Sequence, residues 1–205
     1  MIQKGFIQRN FQEINTHIKI NFDTILQNNI SIVLGEPASG KTYQLKNYKQ
    51  DKSNILLQEL ININIDEINI DGKDMIFLDS IDEALTDYNN FKKLQDKLTN
   101  YIQLCKEINP QIKFVITCRQ YEWNEYFAEK LKELDNTLKI YQILDLEVEQ
   151  INLLLTQEKI NTDEFWKFVS ENYLIFLLKN ILVTLNIINK YSDYKTKTIT
   201  YIDIY

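Results

Sequence analysis

The chain is short of the residues that most often announce a function. Among 205 residues there are two cysteines (Cys105, Cys118), one histidine (His17) and two prolines (Pro37, Pro110). Two cysteines cannot build a disulfide framework, and with one histidine they cannot close a four-ligand zinc site. A reducing, cytoplasmic setting is therefore the expectation. Positive charge is also scarce, 23 Lys and Arg against 29 Asp and Glu, for a net charge of −6. No basic face for a row of phosphates is implied, so direct nucleic-acid binding is not expected. Long hydrophobic runs are missing too. The longest, YLIFLLKNILVTLNII from Tyr173, is interrupted by Lys179, Asn180 and Asn186, and it falls short of the ~20 apolar residues of a membrane span. The first residues, MIQKGFIQRNFQE, contain no apolar core of a signal peptide. Neither secretion nor membrane association is expected. What remains is ordinary globular material: 44% hydrophobic residues can fill a core, and 25% charged residues are too few for a disordered chain.

Apolar runs divide the first two thirds of the chain. Residues 30–34 (ISIVL), MIFLDS from Met75, KFVITCR from Lys113 and LKIYQIL from Leu138 read as buried strands, with a weaker strand at Ile55 to Leu57. Between them lie helical stretches: one from Lys41, one over 88–108 with Leu94, Leu98, Tyr101 and Cys105 on a single stripe and Pro110 as its stop, and one over 124–134. Strand and helix alternate, which predicts an α/β fold with a parallel sheet covered on both faces. After residue 145 the pattern becomes helical, in stretches 147–160, 162–172 and 173–191, with Asn161-Thr162 as a cap signal. The expected organisation is a domain over 1–145 and a small helical domain over 146–205, its last residues, from Ser192, a strand or a frayed end. Trp123 and Trp166 read as core aromatics.

Glycine is as scarce as the rest, yet two of the four glycines, Gly35 and Gly40, stand five residues apart in GEPASGKT. The segment Gly35, Glu36, Pro37, Ala38, Ser39, Gly40, Lys41, Thr42 fits G-x-x-x-x-G-K-[ST] between an expected strand and an expected helix, the context a phosphate-binding loop requires. Glycine lets successive N–H groups turn inward toward phosphate oxygens at the positive end of the helix. Lys41 is expected to reach the β- and γ-phosphates, and the Thr42 hydroxyl to take one place on Mg²⁺.

Hydrolysis needs more than this loop: an acid must anchor the metal and another group must orient water. Asp79 ends the apolar run MIFLD and suits the outer shell of Mg²⁺. Asp82 and Glu83 follow three and four residues later, and either carboxylate could activate the water; a solvated acidic turn is the plainer account of both. Arg119 ends the strand FVITC at the sheet edge where α/β proteins bind ligands, and there its guanidinium could stabilise charge on the γ-phosphate. An arginine paired with a surface carboxylate is the alternative. Cys118 reads as a small buried residue rather than a nucleophile.

Together GEPASGKT, FLDSIDEA and FVITCRQYEW resemble the Walker A, extended Walker B and sensor 1 motifs of NACHT-type STAND ATPases, signal-transducing P-loop NTPases that include bacterial antiviral and cell-death regulators. The resemblance implies an additional-strand P-loop sandwich of strand order 5-1-4-3-2, with the Arg119 strand between the other two. It also implies that FIQRN, with Arg9, leads into the nucleotide site, that ATP or ADP and Mg²⁺ are the cofactors, and that protein partners or self-association accompany activation. Two departures stand out: ENYLIF lacks the Asn-Pro pair many relatives carry there, and 205 residues hold no winged helix or sensor repeats. A truncated or minimal member is the expectation. Base choice stays open between ATP and GTP, although NKYSD at Asn189 has one residue too many for a guanine-reading N-K-x-D. A non-catalytic nucleotide-binding interaction module is the competing class.

Overall fold

A computed structural model describes residues 7–81, 91–123 and 125–194. It contains seven strands: β1 (Phe11–Glu13), β2 (Lys19–Ile20), β3 (Ile30–Gly35), β4 (Ile55–Glu59), β5 (Met75–Asp79), β6 (Lys113–Arg119) and β7 (Lys139–Ile143). Helices α1 (Phe22–Ile25), α2 (Lys41–Lys49), α3 (Phe91–Ile108) and α4 (Glu125–Leu134) intervene, and α5 (Val148–Gln157), α6 (Thr162–Glu171) and α7 (Ile181–Tyr194) follow.

The strands form one sheet in the order β2-β1-β7-β3-β6-β5-β4. The pairs β7·β3, β3·β6, β6·β5 and β5·β4 are parallel, whereas β1 runs antiparallel to both β2 and β7. The alternating strand and helix pattern thus gives the expected α/β class with a mostly parallel sheet. The strand Ile55 to Leu57 runs on to Glu59, after which the chain makes short 3₁₀ turns at Leu60–Asn62 and Ile65–Glu67. Strands β1 and β2 were not anticipated. They are three and two residues long; pairing with β7 holds β1, and β2 pairs in turn with β1.

The contacts divide the chain into two units. The larger, Asn10–Pro37 with Lys41–Ile143, contains the sheet. Successive side chains on a strand point to opposite faces, and here both faces are apolar. Ile30, Ile32, Leu78 and Ile116 pack with Leu98 and Tyr101 of α3, on the face that also receives Leu131 of α4. Val33, Phe77 and Val115 pack with Phe22 of α1 and Leu45 of α2 on the other. Phe22 centres that second layer, 5.2 Å from the Tyr48 ring and 6.0 Å from the Phe77 ring, both near edge-on. Each such side chain, fully buried, stabilises the fold by about 1.5–3 kcal/mol relative to exposure. Cys105 and Cys118 are buried free thiols.

The smaller unit comprises the described residues of Met1–Arg9, Ala38–Gly40 and Leu144–Tyr205. Its core gathers Leu154, Leu155, Phe165, Val169, Ile181 and Ile187, with Tyr191 edge-on to Phe165 and Phe168 at 5.4 and 5.3 Å. Asn161 caps α6, its side chain accepting from Glu164 N at 3.0 Å, as its sequence predicted. The stretch 173–191 is not one helix. A 3₁₀ turn at Ile175–Lys179 ends at Asn180, whose Oδ1 accepts from Leu182 N at 3.0 Å and Val183 N at 3.3 Å to start α7. Asparagine favours this role because its short side chain satisfies amide donors the first turn leaves free. The break also leaves Ile175 and Phe176 more than half exposed. Among the described residues, no helix is long and apolar enough to cross a membrane.

Candidate functional site

The larger unit carries most of the residues singled out above. Strand β3 ends at Gly35, and α2 begins at Lys41, so Lys41 and Thr42 occupy the first helical turn. There the amide groups lack intrahelical acceptors and the helix dipole favours an anion. The Lys41 ammonium folds back and donates to the carbonyls of Gly35 at 2.8 Å and Glu36 at 3.0 Å. A lysine held by two loop carbonyls keeps its charge at the loop mouth, and it can exchange those neutral acceptors for a phosphate, a stronger one.

Two strands away, Asp79 closes β5. Because β3, β6 and β5 are parallel, their carboxyl ends share one edge of the sheet, and two strand spacings correspond to about 10 Å. Lys41 and Asp79 therefore face the same edge, on either side of β6. The register pairs Gly35 with Arg119 and Leu78 with Ile116. This sets Arg119 beside the loop's first glycine, with an exposed side chain.

Asp79 is 4% exposed. Its Oδ1 accepts from the Thr117 hydroxyl at 2.6 Å. No hydrogen bond from a described residue reaches Oδ2. Asp79 also lines a cavity of about 370 Å³ with Lys46, Leu57, Gln58, Glu59 and Asn62. Gln58 is steadied from behind, accepting from the Tyr101 hydroxyl at 2.6 Å, and Asn62 donates to Glu59 at 3.0 Å. Sequence reading missed this wall, and it missed Thr117. A hydroxyl within the apolar run FVITC looks like β-branched filler; only the register of β5 against β6 shows what it meets.

The chemistry of these donors suits a magnesium ion better than a transition metal. Among the described residues no three His, Cys, Asp or Glu side chains gather into a metal cluster. Mg²⁺ asks for less, because it retains waters and takes one carboxylate or hydroxyl together with phosphate oxygens. Asp79, whose Oδ2 takes no hydrogen bond from a described residue, and Thr42 at the helix start are groups able to supply it. Asp82 and Glu83 lie outside the described residues.

In the smaller unit, Ala38 and Gly40 both have positive φ, +61° and +91°. A Cβ added at Gly40 would lie 2.7 Å from Ile181 Cγ2 and 3.2 Å from Arg9 Nη1, so glycine is required there by both backbone and space. Arg9 is 1% exposed. Its guanidinium donates to the carbonyls of Ser39 and Leu144, tying the middle of GEPASGKT to the start of the helical segment. Burial lowers the Arg9 pKa to about 10, opposed by the nearby Asp145 carboxylate. The group remains a cation at neutral pH. Arg9 therefore touches the loop named in sequence, through Ser39, as a clamp on its backbone.

No model of a known protein family matches this chain, and no curated protein matches it. The loop, the buried acid and their common sheet edge are the ground on which a function must be argued.

Proposed function

We propose that this protein is a Mg²⁺-dependent ATP-binding and hydrolysing switch of the STAND NTPase type. The observation that carries the reading is the placement of Lys41 and Thr42 on the same sheet edge as buried Asp79, with the Arg119 strand between them. The strand order supports it: numbered in chain order from β3, the five parallel strands run 5-1-4-3-2, the arrangement the motif resemblance implies.

In this reading the amides of 35–42 take the phosphate chain, and Lys41 leaves the carbonyls of Gly35 and Glu36 for the β- and γ-oxygens. Thr42 and Asp79 would hold Mg²⁺, which when bound offsets charge on the phosphates. Arg119 stands one strand from the loop, where its fixed charge would favour the charge building on the γ-phosphate. Either Asp82 or Glu83 orients water. ATP and ADP then differ by what Lys41 and Arg119 can grip, and a difference in contact is what shifts a two-state equilibrium.

Calorimetric titration with ATP, GTP and ADP, with and without Mg²⁺, together with phosphate release, tests the proposal. Lys41→Ala is expected to weaken ATP binding by about 10- to 100-fold, the loss of a charge-assisted contact. Asp79→Asn should retain metal-free nucleotide binding and lose turnover. Wild-type protein that binds no nucleotide, or variants that lose binding and turnover in equal measure, would overturn these assignments.

A further inference from the structure

Thr117 is 0% exposed, and its hydroxyl is engaged both as donor and as acceptor. Its hydroxyl donates to Asp79 Oδ1 at 2.6 Å and accepts from Ser80 N at 3.0 Å. The direction of this relay is fixed by chemistry: an amide can only donate and an ionised carboxylate can only accept, so the hydroxyl proton must point at Asp79. A β-branched side chain in a packed strand has little rotamer freedom. Ser80, at φ +55°, holds a left-handed conformation that an L-residue adopts only when its surroundings impose it. The bond to Thr117 is one such constraint. One buried hydroxyl therefore sets both the rotation of the carboxylate and the path of the backbone just beyond it.

We propose that Thr117 is the positioning residue of the metal-binding acid: by occupying Oδ1 it presents Asp79 Oδ2 as the single oxygen for Mg²⁺. This rests on the nucleotide-binding reading above and deepens it. Thr117 touches neither phosphate nor metal. Its removal acts on affinity for Mg²⁺ and leaves affinity for metal-free nucleotide alone. Two residues of β6 on either side of Cys118 thereby divide the work, Thr117 orienting the acid on β5 and Arg119 facing the loop after β3.

The test measures ATP binding by calorimetry across a MgCl₂ series and in EDTA. Thr117→Val, nearly isosteric, should raise the Mg²⁺ midpoint at least about tenfold, the loss expected for a buried hydrogen bond to a charged group. Its affinity for ATP in EDTA should stay unchanged. Thr117→Ser keeps the hydroxyl and should keep the wild-type midpoint. Thr117→Cys, a weak donor of similar size, gives an intermediate midpoint and serves should the valine variant not fold. In an Asp79→Asn background, Thr117→Val should add nothing. A serine variant shifted as far as valine, or equal losses with and without Mg²⁺, overturns the positioning role. Wild-type protein without Mg²⁺-dependent ATP binding overturns the nucleotide reading along with it; Mg²⁺-dependent binding that Thr117→Val leaves intact overturns the positioning role alone.

Discussion

Gly40→Ala is the sharpest test of the geometry around the loop. The added methyl would stand 2.7 Å from Ile181 Cγ2, roughly 1 Å inside the ordinary carbon–carbon separation of about 3.5–4.0 Å. Ile181 is 1% exposed and its Cγ2 branches directly from Cβ, so it cannot swing aside as the end of a long side chain would. Overpacking of this kind costs about 1–3 kcal/mol. Backbone adds to it, since φ +91° is hostile to a side chain by about 1–2 kcal/mol. The expected destabilisation is therefore about 2–5 kcal/mol. The two parts can be separated with Ile181→Ala, which removes Cγ2. Alone it is destabilising, by about 2–5 kcal/mol for a buried aliphatic residue. Within that background Gly40→Ala should cost only its backbone share, leaving a coupling of about 1–3 kcal/mol between the two positions. Urea unfolding followed by circular dichroism gives all four stabilities. If Gly40→Ala lies within about 0.5 kcal/mol of wild type, or costs the same with and without the Ile181 side chain, the contact described here is wrong.

Two smaller predictions probe the scaffold. Asn180→Ala removes the acceptor for Leu182 N and Val183 N and should lower stability in urea by about 1 kcal/mol, with Asn180→Ser recovering most of it. Both thiols are 0% exposed, and burial pushes the Cys105 pKa up to about 11, opposed by its interaction with the Tyr101 hydroxyl. Near pH 8 Cys105 stays a thiol, so a disulfide reagent should label neither cysteine until denaturant is added. Rapid labelling of the native protein would contradict this burial.

Sequence carried the framework because a strand buried on both faces leaves a plain trace: Ile30 to Leu34, Met75 to Leu78 and Phe114 to Cys118 are apolar but for Ser31 and Thr117, and each lies in a strand. The caps were legible where their chemistry is local. Asn161 was recognised, while Asn180, next to Lys179, passed for part of a polar interruption in an apolar run. Strands β1 and β2 left no trace, since FQE owes its conformation to β7, more than a hundred residues away, and KI pairs only with FQE. A partner on another strand, 38 residues away, likewise hid the role of Thr117. Motif spacing finds groups that act in one loop, such as Lys41 and Thr42, but a hydroxyl on one strand that serves a carboxylate on the next is visible only once the strands are in register.

Strand β1 aligns Phe11 with Ile143, and Glu13 meets Lys139 at 2.6 Å. A ribosome adding about 5–20 residues each second needs roughly ten seconds to travel between those partners. For that interval the segment around Phe11 lacks its β7 partner, and once β7 emerges its outer flank stays open until this earlier segment returns to cover it. Completion of the sheet thus depends on a segment made well before the strand it covers, so removing β1 and β2 should leave a bare strand flank on which a neighbouring molecule can add its own strand.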